Sequence, residues 1–309
     1  MSQLVDDKMM AEVVGAAGLY MADAEPGPAA LASPSYKALE SRSVMTHGAF
    51  IKRMHPEMMR GFDLEAAMAL ASHAGQIGVG PEVIWHDAST GAIAMQCLSD
   101  GWSTANQASL QEPEIVSEAM ATLKALHSTK ALETRFDPFA QIDALISDLG
   151  HEGAELPEDI GWLQRLIAQL EPMLETGTLS PCRNDGSSSN LMLGPNRAVK
   201  LIDYDRAGMN DPLYDVGCLL AEVTNFERDM YPGYIAYSGS FDEAGFARAR
   251  LWSYVDDLLH ALWARLQAKT SQRGAVEWLK YGEWRLIRVR MGLMHPQFEE
   301  KIRLSGDDV

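Results

Sequence analysis

The sequence predicts an α+β fold in two lobes, a small strand-rich lobe over residues 1–98 and a larger helical lobe over residues 99–309. Three observations predict it. Short β-like runs surround a helix in the first hundred residues, and a polar stretch containing Gly101 follows them. Beyond that stretch the apolar residues recur at helical spacing, interrupted by one hairpin pattern.

In the small lobe, Ala49–Met54 (AFIKRM) alternates, with Phe50, Lys52 and Met54 on one side and Ala49, Ile51 and Arg53 on the other. Phe62–Ala74 is rich in Ala and Leu, with Asp63 and Glu65 near its start, and reads as a helix. Glu82–Trp85 and Ala92–Leu98 are short strands joined by the turn-like HDASTGA. Ser99–Gln111 is the expected linker. Helices are expected over Glu114–His127, Pro157–Glu175, Pro212–Phe226, Glu243–Gln272 and Ala275–Leu293. Within this helical part, Asn190–Asp203 (NLMLGPNRAVKLID) has two apolar runs around Gly194-Pro195-Asn196, a β-hairpin signature. There is no internal repeat and no low-complexity tract.

Composition narrows the function. Apolar residues make up 47% and charged residues 22%, ordinary for a soluble globular enzyme. No apolar run is long enough to span a membrane. The first twenty residues carry acids where a signal peptide needs a basic start, so a cytosolic protein is expected. The formal charge of −17 repels phosphate backbones, which argues against nucleic acid as a partner and suits a cationic substrate. Cys97, Cys182 and Cys218 are isolated in sequence and form no CxxC pair, and no HExxH is present. A metal, if bound, should sit on oxygen ligands.

The hairpin supplies such ligands. Antiparallel pairing across the turn brings Asn190, at the start of one strand, beside Asp203, at the end of the other. Asp185 precedes Asn190 by five residues, in the flexible loop RNDGSSSN. Two carboxylates and an amide oxygen on adjoining loop ends make a hard-oxygen site suited to magnesium. Phosphoryl transfer needs this arrangement, with Asn190 and Asp203 as metal ligands and Asp185 as the base or orienting group for a hydroxyl. Taken singly, Asp185 also suits the start of a turn and Asp203 the end of a strand; the combined spacing is what points to chemistry.

SPCRNDGSSSNLML followed by VKLIDYDRAGMNDPLYDVG resembles the catalytic core of the choline/ethanolamine kinase and aminoglycoside phosphotransferase superfamily, whose fold is protein-kinase-like. The resemblance implies ATP and Mg²⁺ as cofactors and makes Asp215 the structural anchor of the catalytic loop. Arg183 stands where the family usually has histidine, and it is expected to order the loop by pairing with a carboxylate. By the same resemblance Lys52 is the strand lysine that holds the nucleotide phosphates, and Glu65 its ion-pair partner. Gln96-Cys97-Leu98 falls at the adenine hinge, with Gln96 and Leu98 as backbone contacts. The loop over the phosphates falls at Ala32–Ala38, glycine-free, with Ser33 and Ser35 as donors.

The acceptor is implied by the carboxy-terminal helices. Ala261–Ser271 and Val276–Arg285 are similar to the helices that wall the choline site in eukaryotic choline kinases. Trp263, Trp278 and Tyr281 are the candidate ring positions, with Asp205 as a carboxylate near the cation and His260 where a tryptophan is expected. The same tryptophans also suit core packing, the reading preferred for Trp252 and Trp284. The expected function is therefore ATP- and magnesium-dependent phosphorylation of a small, cationic amino alcohol such as choline or ethanolamine. An antibiotic phosphotransferase and a pseudokinase scaffold stay open as alternatives.

Overall fold

The computed structural model describes residues 2–28, 39–175, 177–224 and 226–306. The chain opens with helix α1 (Ser2–Ala16), an element not among those expected from the sequence. Strands β1 (Glu25–Pro26), β2 (Ser41–Thr46) and β3 (Ala49–Met54), helix α2 (Leu64–Gln76), and strands β4 (Val83–Asp87) and β5 (Ala92–Gln96) complete the small lobe. The strands pair antiparallel in the order β1-β2-β3-β5-β4.

Alternation along each strand divides the sheet into two faces. Val44, Ile51 and Ala94 stand opposite one another and bury against Met10, Val13 and Val14 of α1. Met45, Phe50 and Met95, with Ser43, Lys52 and Ile93, form the other face and line the cleft. Phe50 and Lys52 thus share a face, as the alternation predicts. Asp63 caps α2 by accepting the Ala66 N–H at 3.0 Å. That start puts Leu64, Ala67, Leu70, Ala71 and Ala74 into the core and leaves Glu65 exposed.

The larger lobe begins inside the expected linker with β6 (Ser103–Thr104). Helices α3 (Pro113–His127), α4 (Pro138–His151), α5 (Ile160–Ala168) and α6 (Glu171–Leu174) follow. The single helix expected over 157–175 is two, because Pro172 lies in the first turn of α6, where its missing N–H costs nothing. Strands β7 (Ser180–Cys182), β8 (Leu191–Leu193), β9 (Val199–Leu201) and β10 (Gly208–Asn210) flank Asp185, Asn190 and Asp203. They form two small sheets, β6-β8-β9 and β7-β10. Helices α7 (Pro212–Val223), α8 (Glu227–Ser238), α9 (Glu243–Thr270), α10 (Ala275–Leu293) and α11 (Phe298–Gly306) end the chain.

The long α9 is the spine of this lobe, buried on nearly every side between Phe246 and Leu266. A Cβ at Gly217 of α7 would come within 1.8 Å of the Ala249 carbonyl oxygen, so only glycine lets α7 lie this close to α9. Gly186 plays the same part for the loop after β7, where a Cβ would meet the Cys218 backbone at 2.5 Å. These two contacts press the loop after β7 onto α7 and α7 onto the spine. Among the described residues no helix is long and apolar enough to cross a membrane.

Candidate active site

A cleft of about 400 Å³ runs between the sheet and the helical lobe, and Lys52, Asp185, Asn190, Asp203 and Asp205 all line it. The hairpin brings them there. Leu191 pairs with Leu201, and the Ile202 N–H extends the ladder to the Asn190 carbonyl at 3.1 Å, so Asn190 lies next to Asp203. At Asp203 the backbone leaves the strand with φ of 63°, a left-handed conformation uncommon outside glycine. Lys52 Nζ, reaching across from β3, donates to Asp203 Oδ1 at 2.8 Å and to Asp205 Oδ2 at 2.6 Å. Burial by itself would depress the Lys52 ammonium, but the two carboxylates carry it well above its ordinary value. Burial pushes Asp203 the other way, yet Lys52 prevails and holds it low. Asp205 is pushed up to about 6, by burial first and by Asp203 next.

Asp185 is held by its own loop. Its Oδ1 accepts the Ser187 N–H at 2.7 Å, and its Oδ2 accepts a hydrogen bond from Asn190 Nδ2. With that nitrogen engaged, Asn190 Oδ1 is left as a ligand atom. The atoms offered by Asp185, Asn190 and Asp203 are then all oxygens, a donor set that fits a hard divalent cation such as Mg²⁺.

Arg183 orders this loop, but not through a carboxylate as expected. Fully buried, it donates to three carbonyl oxygens: Asn190 at 2.8 Å, Ile202 at 3.0 Å and Asp185 at 2.5 Å. Carbonyls suffice because a guanidinium has five N–H donors to spread, and these three oxygens belong to the loop and both hairpin strand ends. Asp215, in the first turn of α7, accepts the N–H groups of Arg183 at 2.8 Å and Asn184 at 2.7 Å. His127 Nε2 lies 3.1 Å from the same carboxylate, and its Nδ1 is 2.8 Å from the Tyr237 hydroxyl.

At the far end, Gln96, Cys97 and Leu98 line the cleft where β5 ends. The Gln96 N–H goes to Glu82 and the Cys97 N–H to Gly48, which leaves the Leu98 N–H without a partner among the described residues. The expected Lys52–Glu65 pair is not formed. Glu65 is exposed on α2, because the cap at Asp63 turns it outward, and Asp203 and Asp205 take the lysine instead. Ser33 and Ser35 lie outside the described residues. A carboxyl that the pattern did not single out, Glu40, lines the cleft just before β2 and is pushed up to about 7, chiefly by burial and then by Asp203.

The other end of the cleft is walled by α9 and α10. His260, Trp263, Trp278 and Tyr281 all line it, and so does Trp284, which is half-buried there rather than in the core. The reason is its position on α10, between Tyr281 and the guanidiniums of Arg285 and Arg288 at 5.1 and 4.8 Å from its ring. Trp252 is a core residue, its indole N–H donated to Asp211 at 2.8 Å. The rings do not form an open cage. Arg206 lies over Trp263 at 4.8 Å and over Phe62 at 5.0 Å, and Arg285 over Tyr281 at 5.1 Å. Beneath them Arg285 pairs with Asp256 and Asp257, and Arg288 with Asp257 and Glu222. Burial would raise Asp256, but His260, Arg285 and the Tyr214 hydroxyl hold it well below the carboxylate range.

Residues 46–252 match the model of the phosphotransferase enzyme family, about two thirds of the chain. The chain belongs to that family. The phosphotransferase is 22% identical over 228 residues to Protein LicA of Haemophilus influenzae, a match that spans 71% of this chain and 82% of LicA. Its fold is similar to that of a choline/ethanolamine kinase family protein from Mesorhizobium loti, with a TM-score of 0.81 at 20% identity, covering 97% of this chain and 98% of that one. It is also similar to the choline kinase LicA from Streptococcus pneumoniae, with a TM-score of 0.72 at 14% identity, covering 92% and 98%. The two-lobed protein-kinase-like architecture expected from the sequence is the one these neighbours share.

Several residues in or behind the phosphotransferase's cleft carried no sequence signal of their own. Glu40 precedes a strand as many surface glutamates do. Arg206 follows Asp205 directly, and only its stacking on two rings from distant elements sets it apart. His127 ends α3, far from the motif whose aspartate it meets.

Proposed function

We propose that this phosphotransferase uses ATP and Mg²⁺ to phosphorylate the hydroxyl of a small amino alcohol, the class that includes choline and ethanolamine. The observation that carries the reading is the meeting of Lys52, Asp185, Asn190 and Asp203 in one cleft that continues into an aromatic, acidic end. Asn190 and Asp203 would hold the magnesium, which when bound supplies positive charge to the phosphate oxygens. Lys52 is positioned to add a second cation, and Leu98 N–H to hold the adenine edge. Asp185, fixed by Ser187 and Asn190, accepts the proton of the acceptor hydroxyl as its oxygen bonds to the γ-phosphorus and ADP leaves. A cytosolic setting, where ATP is abundant, suits the reaction.

Within the class, the acceptor end favours a primary ammonium over a quaternary one. Guanidiniums already cover faces of Trp263 and Tyr281, whereas the carboxylate of Glu277, with no ion pair among the described residues, lines the cleft and can accept N–H hydrogen bonds. The test is turnover with ATP and Mg²⁺ on choline, ethanolamine and kanamycin, with ethanolamine expected to lead. Turnover of kanamycin alone would overturn the amino-alcohol reading. A lack of any turnover, together with no magnesium-dependent thermal shift by ATP, would return the chain to a scaffold role. Asp185→Ala should lower kcat by about 10²–10⁴-fold while changing ATP affinity little. Equal turnover in the variant and the wild type would end the phosphotransfer reading.

A further inference from the structure

The charges at the acceptor end are not all neutralised from within. Lys52 is matched by Asp203 and Asp205, and Arg285 and Arg288 by Asp256, Asp257 and Glu222. Arg206 is different. Among the described residues no carboxylate lies within ion-pair distance of its guanidinium and no hydrogen bond uses its N–H groups. It attracts Glu40 through space but does not touch it. Its guanidinium carbon lies over the rings of both Phe62 and Trp263, which restrain its position while its N–H donors stay unused, on a half-buried residue of the cleft. A second unused donor is nearby on the same wall. The indole N–H of Trp278, a residue only 5% exposed, has no partner among the described residues, and its ring packs edge-on against Trp263 at 5.0 Å. Glu277, beside it in the chain and also lining the cleft, is a carboxylate with no ion pair among the described residues.

Unsatisfied donors held rigid in a partly desolvated site ask for an anionic acceptor, and the fork of an arginine asks for a planar pair of oxygens. We infer that the acceptor is a hydroxyl-bearing amino acid, whose carboxylate is bound by Arg206 and whose ammonium is held by the acidic residues of the cleft. This deepens the amino-alcohol reading and rests on it, adding a carboxylate to the class. The stacking on Trp263, from the helix that walls the acceptor end, favours the acceptor over the nucleotide as the source of the anion.

Matched pairs that differ by one carboxylate test this directly: L-serine against ethanolamine, and L-homoserine against 3-aminopropan-1-ol, titrated calorimetrically into the full chain. At least one amino acid should bind about tenfold or more tightly than its decarboxylated partner. Arg206→Gln should bring that ratio to about one, and Arg206→Lys, which keeps the charge but loses the fork, should retain part of it. The lysine variant carries the test if the glutamine variant does not fold. A wild type that fails to distinguish the pairs overturns the inference, as does a ratio unchanged in the variants. Loss of ATP affinity in Arg206→Gln with the acceptor ratio intact would overturn it too, giving the guanidinium to the γ-phosphate. Phosphoryl transfer to either member is scored separately. A carboxylate preference without product would sink the kinase reading and the amino acid's role as acceptor, leaving only a carboxylate-binding site at Arg206; product without the preference would keep the kinase reading and overturn the carboxylate site.

Discussion

Glu40 shows how one buried group ties stability to pH. Its carboxyl lies in the cleft, near Asp203 and Asp205 and out of ion-pair contact with any cation among the described residues, and its pKa stands at about 7 against an ordinary 4.5. A carboxyl whose pKa is raised on folding favours the native state when protonated. That contribution is full below about pH 4.5 and is lost as pH rises through 7. Glu40→Gln should therefore nearly match wild type at pH 4.5 and exceed it by about 3 kcal/mol at pH 8, read by urea unfolding without nucleotide. Equal pH profiles for the two proteins would show that the carboxyl is solvated. Glu40 also marks a limit of residue-level reading. Asp185, Asn190 and Asp203 were legible because their spacing around a hairpin dictates that they meet. The partner of Lys52 was not, since counting positions puts Glu65 on the right helix but not on a face of it. Arg183 escaped in another way, because its partners are backbone carbonyls and sequence does not display those.

Among elements, the α7–α9 contact governs whether the loop that carries Asp185 keeps its shape. Asp215 holds the loop from the first turn of α7, and Gly217, half a turn on, lets that helix lie against α9. Gly217→Ala would drive a methyl group into the Ala249 carbonyl, which is backbone and cannot swing aside. Moving α7 outward would draw Asp215 from the loop. The expected result is a loss of about 2–3 kcal/mol in stability, with kcat falling further than the fraction unfolded explains. Activity corrected for folded fraction checks this, and wild-type kcat in the folded variant would detach the loop from the helix. The elements themselves were unevenly legible. Helix α10 shows both ends in the sequence, with Gly274 before it and apolar spacing up to Leu293. Helix α8 contains Pro232 and a run of aromatic and polar residues, so its pattern is weak, and it is packing on α3 that makes it a helix. Helix α1 is likewise fixed by the sheet beneath it.

Taken as one molecule, the two lobes are joined across the cleft by a lysine from one and two aspartates from the other. Lys52 belongs to the central strand of the small-lobe sheet, and Asp203 and Asp205 follow the hairpin of the large lobe. The lysine both bridges the lobes and separates two carboxylates that otherwise repel each other in a desolvated site. Removing it in Lys52→Met should abolish turnover, but the more informative effect is on the whole fold in the absence of ligand. At pH 8 both aspartates remain charged without their cation, and unfolding free energy should fall by about 3 kcal/mol. Lowering the pH through 6 should recover part of this, because Asp205, already raised to about 6, can then take a proton. Magnesium should recover part as well, and the stabilisation by Mg²⁺ alone should be larger in Lys52→Met than in wild type, since the ion then meets two uncompensated carboxylates. Thermal unfolding with and without Mg²⁺, at pH 5.5 and pH 8, reads all three effects. If the variant is as stable as wild type and gains nothing more from magnesium, the bridge does not hold the lobes together and the carboxylates do not share a cation site.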